Sequence, residues 1–140
     1  MPKALDYYET VSLDRNTAKG VSVFEGEMSK QLNTDLFDMI AKEMAEYSAI
    51  GTGKFFGLDV LKVQGETFAM VWKEGRVGVK ILNKELNAKL VSTKEANHWV
   101  TSGKTMSQWV LAPYEYNEDI TALKKWLLLA YNDALTNKKH

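Results

Sequence analysis

Two histidines, His98 and His140, are the first residues in this 140-residue chain that could do chemistry. A protein metal site needs several ligands at a workable spacing. His98 lies beside Trp99 in a strand-like run and His140 is the last residue, so the pair supplies no such set. Each reads instead as a surface or half-buried histidine. Glu118 and Asp119 form a carboxylate pair, but they fall where a helix should begin, and the helix dipole explains them there. Catalytic carboxylates sit in apolar clefts that shift their pKa, and no such setting is visible. Gly75-x-x-Gly78 and Gly51-x-Gly53 have the look of phosphate loops. A phosphate fingerprint requires strand, glycine turn and then helix. Here Gly75 joins two strands and Gly51 follows a helix, so both read as turn punctuation. With no cysteine, thiolate metal sites, disulfides and a cysteine nucleophile are excluded. The chain therefore reads as not an enzyme and as needing no cofactor or metal.

Binding is the remaining class. Lys54, Lys62, Arg76, Lys80 and Lys104, with Lys73, are candidates for a basic surface on the strands that would meet nucleic acid. Trp72, Trp99 and Trp109 lie nearby and could stack bases, as in single-strand binders. The plainer reading is favoured: the tryptophans fill a core and the lysines solubilise strand edges. The last helix carries apolar residues beyond one stripe. Trp126, Leu128 and Leu129 are the candidates for contact with a protein partner, with the chain's own N-terminal segment, or with a second copy of the chain.

The elements that must position these residues follow from composition and periodicity. One hundred and forty residues fit one domain with a real core. Charge balances, with 18 basic and 18 acidic residues, which argues against a bulk grip on nucleic acid or anionic lipid. The balance is uneven, because an acidic first helix offsets a strand region about four charges positive. No apolar run approaches a membrane span, nothing reads as a signal peptide, and no membrane partner is expected. Lack of cysteine favours a reducing compartment, so the expected location is the cytoplasm.

Residues 1–33 lack sustained periodicity and read as a partly ordered extension, with Val21-Ser22-Val23-Phe24 as a candidate short strand. A domain over residues 34–137 and a solvated tail over 138–140 follow. Asn33 or Thr34 should cap the first helix, with Leu36, Ile40, Met44 and Tyr47 at helical spacing; Gly51 and Gly53 end it. One strand is expected over Lys54–Gln64, bent at Gly57. A type II′ turn at Gly65-Glu66 leads to a second strand, Thr67–Lys73, whose Phe68, Met70 and Trp72 share a face. After Glu74-Gly75 comes a third, Arg76–Leu82, with Val77, Val79 and Ile81 inward. Asn83 caps a short helix carrying Leu86 and Leu90. Strands at His98–Thr101 and Met106–Ala112 join across Ser102-Gly103-Lys104, and Pro113 stops the second. Asn117 caps the last helix, whose stripe is Ile120, Leu123, Leu127, Ala130, Tyr131 and Ala134. The expected fold class is α+β, two-layer, with order α-β(3)-α-β(2)-α and a mostly antiparallel five-stranded sheet.

This order and several of its residues resemble the N-terminal domain of the TfoX family, related to YjbR-like proteins. Gly53-Lys54-Phe55-Phe56-Gly57 is similar to the family's Lys-Met-Phe-Gly. Leu61-Lys62-Val63-Gln64-Gly65 with Phe68-Ala69 matches its hairpin pattern, and Val77 to Ile81 its next strand. Gly103-Lys104-Thr105-Met106-Ser107-Gln108-Trp109-Val110 resembles Gly-Arg-Pro-Met-x-Glu-Trp-Val, with Thr105 and Gln108 in place of Pro and Glu. The apolar last helix with Trp126 and Leu127 also matches, and the resemblance covers about residues 34–136. It implies a bacterial domain with a fold similar to type III secretion chaperones and, loosely, a regulatory role. The resulting expectation is a small cytoplasmic regulatory or protein-binding module. The alternatives are a nucleic-acid regulator using the basic sheet face, or small-molecule binding between sheet and helices.

Overall fold

The computed structural model describes the backbone of residues 20–137 and the side chains of residues 29–137. Residues 1–19 of the expected extension, and the 138–140 tail with His140, lie outside the described residues. The first helix, α1, runs Gly20–Met44, so Val21–Phe24 is helical rather than a strand, and the helix starts well before Asn33. Local bonds show why it passes through the expected boundary. Gln31 Nε2 donates to Asp35 Oδ1 at 2.9 Å, one turn on, and Thr34 Oγ1 bonds back to the Lys30 carbonyl at 3.0 Å. Asn33 caps nothing; its Nδ2 donates to the Lys73 carbonyl at 3.1 Å. Leu36, Phe37, Ile40 and Met44 form the buried stripe, but the helix ends at Met44, before Tyr47, and Gly51 and Gly53 lie in the strand that follows instead of ending the helix.

Four antiparallel strands follow: β1 (Ile50–Phe55), β2 (Leu58–Val63), β3 (Glu66–Trp72) and β4 (Arg76–Lys80). The expected Lys54–Gln64 strand is therefore two. Phe56 and Gly57 have φ of 51° and 80°, which makes them the two central residues of a type I′ turn. Gly57 reverses the chain rather than bending it. The next turn is also of this kind, centred on Gln64 and Gly65 at 52° and 84°, not a II′ turn on Gly65-Glu66. Glu66 already pairs with Val63.

Helix α2 (Lys84–Val91) forms as read, with Asn83 Oδ1 accepting from the Leu86 N–H at 2.9 Å. Strands β5 (Asn97–Thr101) and β6 (Lys104–Leu111) join through Ser102-Gly103 alone, because Lys104 pairs directly with Thr101. A 3₁₀ turn (Tyr114–Glu118) precedes α3 (Ile120–Asn137). Asp119, not Asn117, caps α3, its Oδ1 taking the Ala122 N–H at 3.2 Å. Asn117 instead donates to the Gly75 carbonyl at 2.6 Å, pinning the β3–β4 turn that Asn33 holds from the other side.

Among the described residues the strands form one antiparallel sheet of six, in the order β1-β2-β3-β4-β6-β5. The fold class is thus α+β, with one strand more than the expected five. Strand alternation sends Leu61, Val63, Ala69, Val71, Val77, Val79, Ile81 and Val110 to one face, where α1 and α3 cover them. Phe68 joins that face instead of sharing one with Met70 and Trp72. Leu61 pairs with Ala69 and Lys62 with Thr67, so Phe68 is the extra residue of a bulge, and its ring meets Tyr131 of α3 edge-on at 5.9 Å.

The opposite face has its own core. Val60, Met70, Trp72, Trp99, Trp109 and Leu111 are buried together, with Phe55, Leu58 and Met106 partly buried against them. Every member lies on a strand, so the sheet curls over itself to enclose them. Gly78 at mid-sheet permits this: a Cβ there would stand 2.7 Å from Met70 Cε and 3.1 Å from Leu111 Cδ2.

Candidate binding site

The extent of the curl is set by one contact. Phe55 belongs to β1 and Trp99 to β5, the two edge strands of the sheet. Five steps of a flat sheet would hold those edges roughly 24 Å apart at about 4.8 Å per step. Their ring centroids are 6.4 Å apart. Phe55 also stacks on Trp109 at 6.1 Å with a 24° tilt. Behind it, Trp99 meets Trp72 at 5.3 Å and Trp109 at 5.8 Å, both edge to face. The three tryptophans are buried, and half-buried Phe55 is the ring that closes over them. Lys73 Nζ lies over the Trp72 ring, 5.2 Å from its centroid. Trp99 Nε1 is buried and has no hydrogen-bond partner among the described residues.

Phe56, at the tip of the same hairpin, is 82% exposed, more than any other large hydrophobic side chain among the described residues. Its φ of 51° lies in the left-handed region, which suits Asn, Asp or Gly and disfavours Phe. Its ring touches Phe55 at 4.6 Å. Just behind the tip, exposed Lys54 pairs with Asp59 at 2.6 Å across the hairpin.

The basic candidates do not converge. Alternation puts Lys54 on the face opposite Phe55, whereas Lys62 shares the face of Val60 and lies along Gly53. Arg76 is spent on the backbone: Nε donates to the Ala112 carbonyl at 3.0 Å, and its terminal nitrogen to Glu95 and Leu111 carbonyls at 3.0 and 3.3 Å. Burial pushes its pKa down, against the opposing pull of Glu74 and Glu95. Lys104 is exposed at the β5–β6 turn. Lys80 lines a space of about 30 Å³ shared with Glu66, Thr67, Leu82, Asp133, Ala134 and Asn137. That is room for about one water rather than for a metabolite.

The partner-contact candidates lie largely inward. Trp126 is buried against Tyr116, 5.6 Å away, and Leu128 and Leu129 are half-buried against the helix-side core. His98 is also structural. Asn87 donates to the Ile81 and Ser107 carbonyls, both at 3.0 Å, so its Oδ1 must accept, and the His98 Nε2–H supplies that bond at 2.9 Å. This hub sits where β6 carries three residues, Ser107–Trp109, that β5 does not match.

Two residues escaped sequence reasoning. Phe56 is one, although Phe-Gly between two alternating apolar runs is a hairpin signal. Asp133 is the other, a buried acid on α3 whose carboxylate takes the Leu82 and Asn83 N–H groups at 2.6 and 3.2 Å. Its only sequence signal is an acid placed beside an apolar stripe. Among the described residues no three His, Asp or Glu side chains gather as a metal site, and no helix is long and apolar enough to cross a membrane. Comparison of the chain with protein-family models, with curated proteins and with solved structures found no match.

Proposed function

We propose that this protein is a non-enzymatic binding module that engages a protein partner through the tip of the β1–β2 hairpin. One observation carries the reading: Phe56 is both exposed and left-handed. Left-handed backbone costs a non-glycine residue about 1–2 kcal/mol, and an exposed Phe forgoes about 2 kcal/mol of burial. The Gln64 and Ser102 turns share that backbone but carry polar residues, whereas the Phe56 ring touches Phe55 at 4.6 Å and otherwise faces solvent. Residues that work against their own fold cluster at functional sites, and aromatic side chains are the commonest anchors of protein interfaces. A loop tip on a rigid sheet is also where recognition residues are usually found.

Kinship with TfoX N-terminal domains is part of the same proposal. It rests on the motif around Gly53–Gly57, on the segment Gly103–Val110, and on the order of helix, strands, helix, two strands, helix. A cytoplasmic setting is in keeping with the absence of cysteine. The test is a photo-crosslinking residue installed at position 56 of the full chain, exposed to a lysate of the host. A defined adduct that excess wild-type protein competes away, and excess Phe56→Asn protein does not, is the expected result. Equal competition by both proteins would remove Phe56 from the interface.

A further inference from the structure

We propose that the tryptophan-lined face is a closed ligand site for a planar heteroaromatic molecule carrying a hydrogen-bond acceptor, and that Phe55 is its built-in occupant. Three independent features support this. The first is the orphan donor. Trp99 is 1% exposed, and its Nε1 finds no acceptor among the described residues. Trp99 is buried among Trp72, Trp109, Phe55, aliphatic side chains and the methionines Met70 and Met106, whose ring faces and thioether sulfurs are weak acceptors at best. Buried tryptophan N–H groups usually find a partner, and one that does not calls for an explanation.

The second feature is the shape of the enclosure. Phe55 stacks nearly parallel to Trp109, at 24°, and meets Trp99 at 55°. Trp99 and Trp109 also meet each other at 5.8 Å, so Phe55 packs beside both indoles, and another flat ring of similar size would take its place against them. The third is the hold on Phe55. It is half-buried, it belongs to an edge strand that pairs only with β2, and it adjoins the strained Phe56 turn. Gly51 and Gly53 further weaken β1. Bending only the hairpin tip outward, where Leu58 and Asp59 pair with β1 and not with β3, moves Phe55 away and leaves the β2–β3 ladder from Val60 onward in place. A ligand ring with an acceptor nitrogen recovers the stacking and adds the bond that Trp99 lacks. This site is separate from the exposed Phe56 surface, and either can hold without the other.

Benzimidazole and indole provide the test, since they differ by one ring atom and only benzimidazole presents an acceptor nitrogen. The full chain, labelled with ¹⁵N, is titrated with each. Trp99→Phe identifies the Trp99 indole N–H signal by its loss. Benzimidazole is expected to move that signal downfield and to bind about tenfold tighter than indole, as one net hydrogen bond implies. Phe55→Ala removes the occupant and should raise benzimidazole affinity by about tenfold; Phe55→Leu, which keeps an apolar plug, replaces it if the alanine variant does not fold. An unmoved Trp99 signal at millimolar benzimidazole in wild type and in the folded Phe55 variant overturns the proposal. So does equal affinity for the two probes.

Discussion

Asp133 spends its carboxylate on the connection between β4 and α2. Besides the Leu82 and Asn83 N–H groups it takes the Asn137 Nδ2–H at 3.0 Å, so one buried side chain closes the end of β4 against α3. Asp133→Ala strands two backbone donors and should cost about 2–4 kcal/mol in urea denaturation, since each unpaired buried group costs about 1–3 kcal/mol. Asp133→Asn keeps one acceptor oxygen and should cost less than half as much. Phe56 is the opposite case, a residue whose replacement should help the fold. Neither was legible in the sequence for its role, because burial of an acid and exposure of an aromatic both run against residue type. His98 was legible as a half-buried histidine, but its partner Asn87 was not, since that contact joins α2 to β5 across an irregular stretch of β6.

At the scale of elements, periodicity located the flanking helices and the cores of β2 to β6, but it missed β1, whose Gly51 and Gly53 read as the end of the first helix and whose last residues read as one strand with β2. Asn33, Thr34 and Asn117 all have the chemistry of helix caps, yet two of them bond to the β3–β4 turn and one bonds back along α1. A local preference for capping yielded to tertiary partners that sequence spacing does not reveal. The three two-residue turns follow one device, an X-Gly pair with both φ positive, and the glycine alone marked them. The curl of the sheet was not legible, because alternation predicts which residues share a face and not how far the face bends. Gly78 is its clearest sequence trace. Gly78→Val should therefore lower stability by about 1–3 kcal/mol, as overpacking of a closed core does, and Gly78→Ala by less, since the tips of Met70 and Leu111 can give way. Thermal denaturation followed by tryptophan fluorescence reads both the loss and the loosening of the aromatic cluster. Asn117→Ala should raise amide exchange in the Lys73–Gly75 turn while leaving β2 protected.

For the molecule as a whole, the two faces of one sheet are packed differently. One is packed by helices and sets the fold; the other closes on its own aromatic residues and ends in a projecting hairpin. Net charge is zero and the lysines are dispersed over both faces, so light scattering at low and high salt with a pool of DNA should show a mass indifferent to DNA. A DNA-dependent mass lost at high salt would favour the nucleic-acid alternative. The central claim is that Phe56 is held at the tip for recognition and not for stability. The measurement that tests it most directly is chemical denaturation of Phe56→Asn beside wild type. Asn accepts the left-handed turn, so the variant should be more stable by about 0.5–1 kcal/mol. A variant less stable by about 1 kcal/mol or more would mean that the Phe56 ring serves the fold, and the hairpin tip would lose its claim to be a binding site.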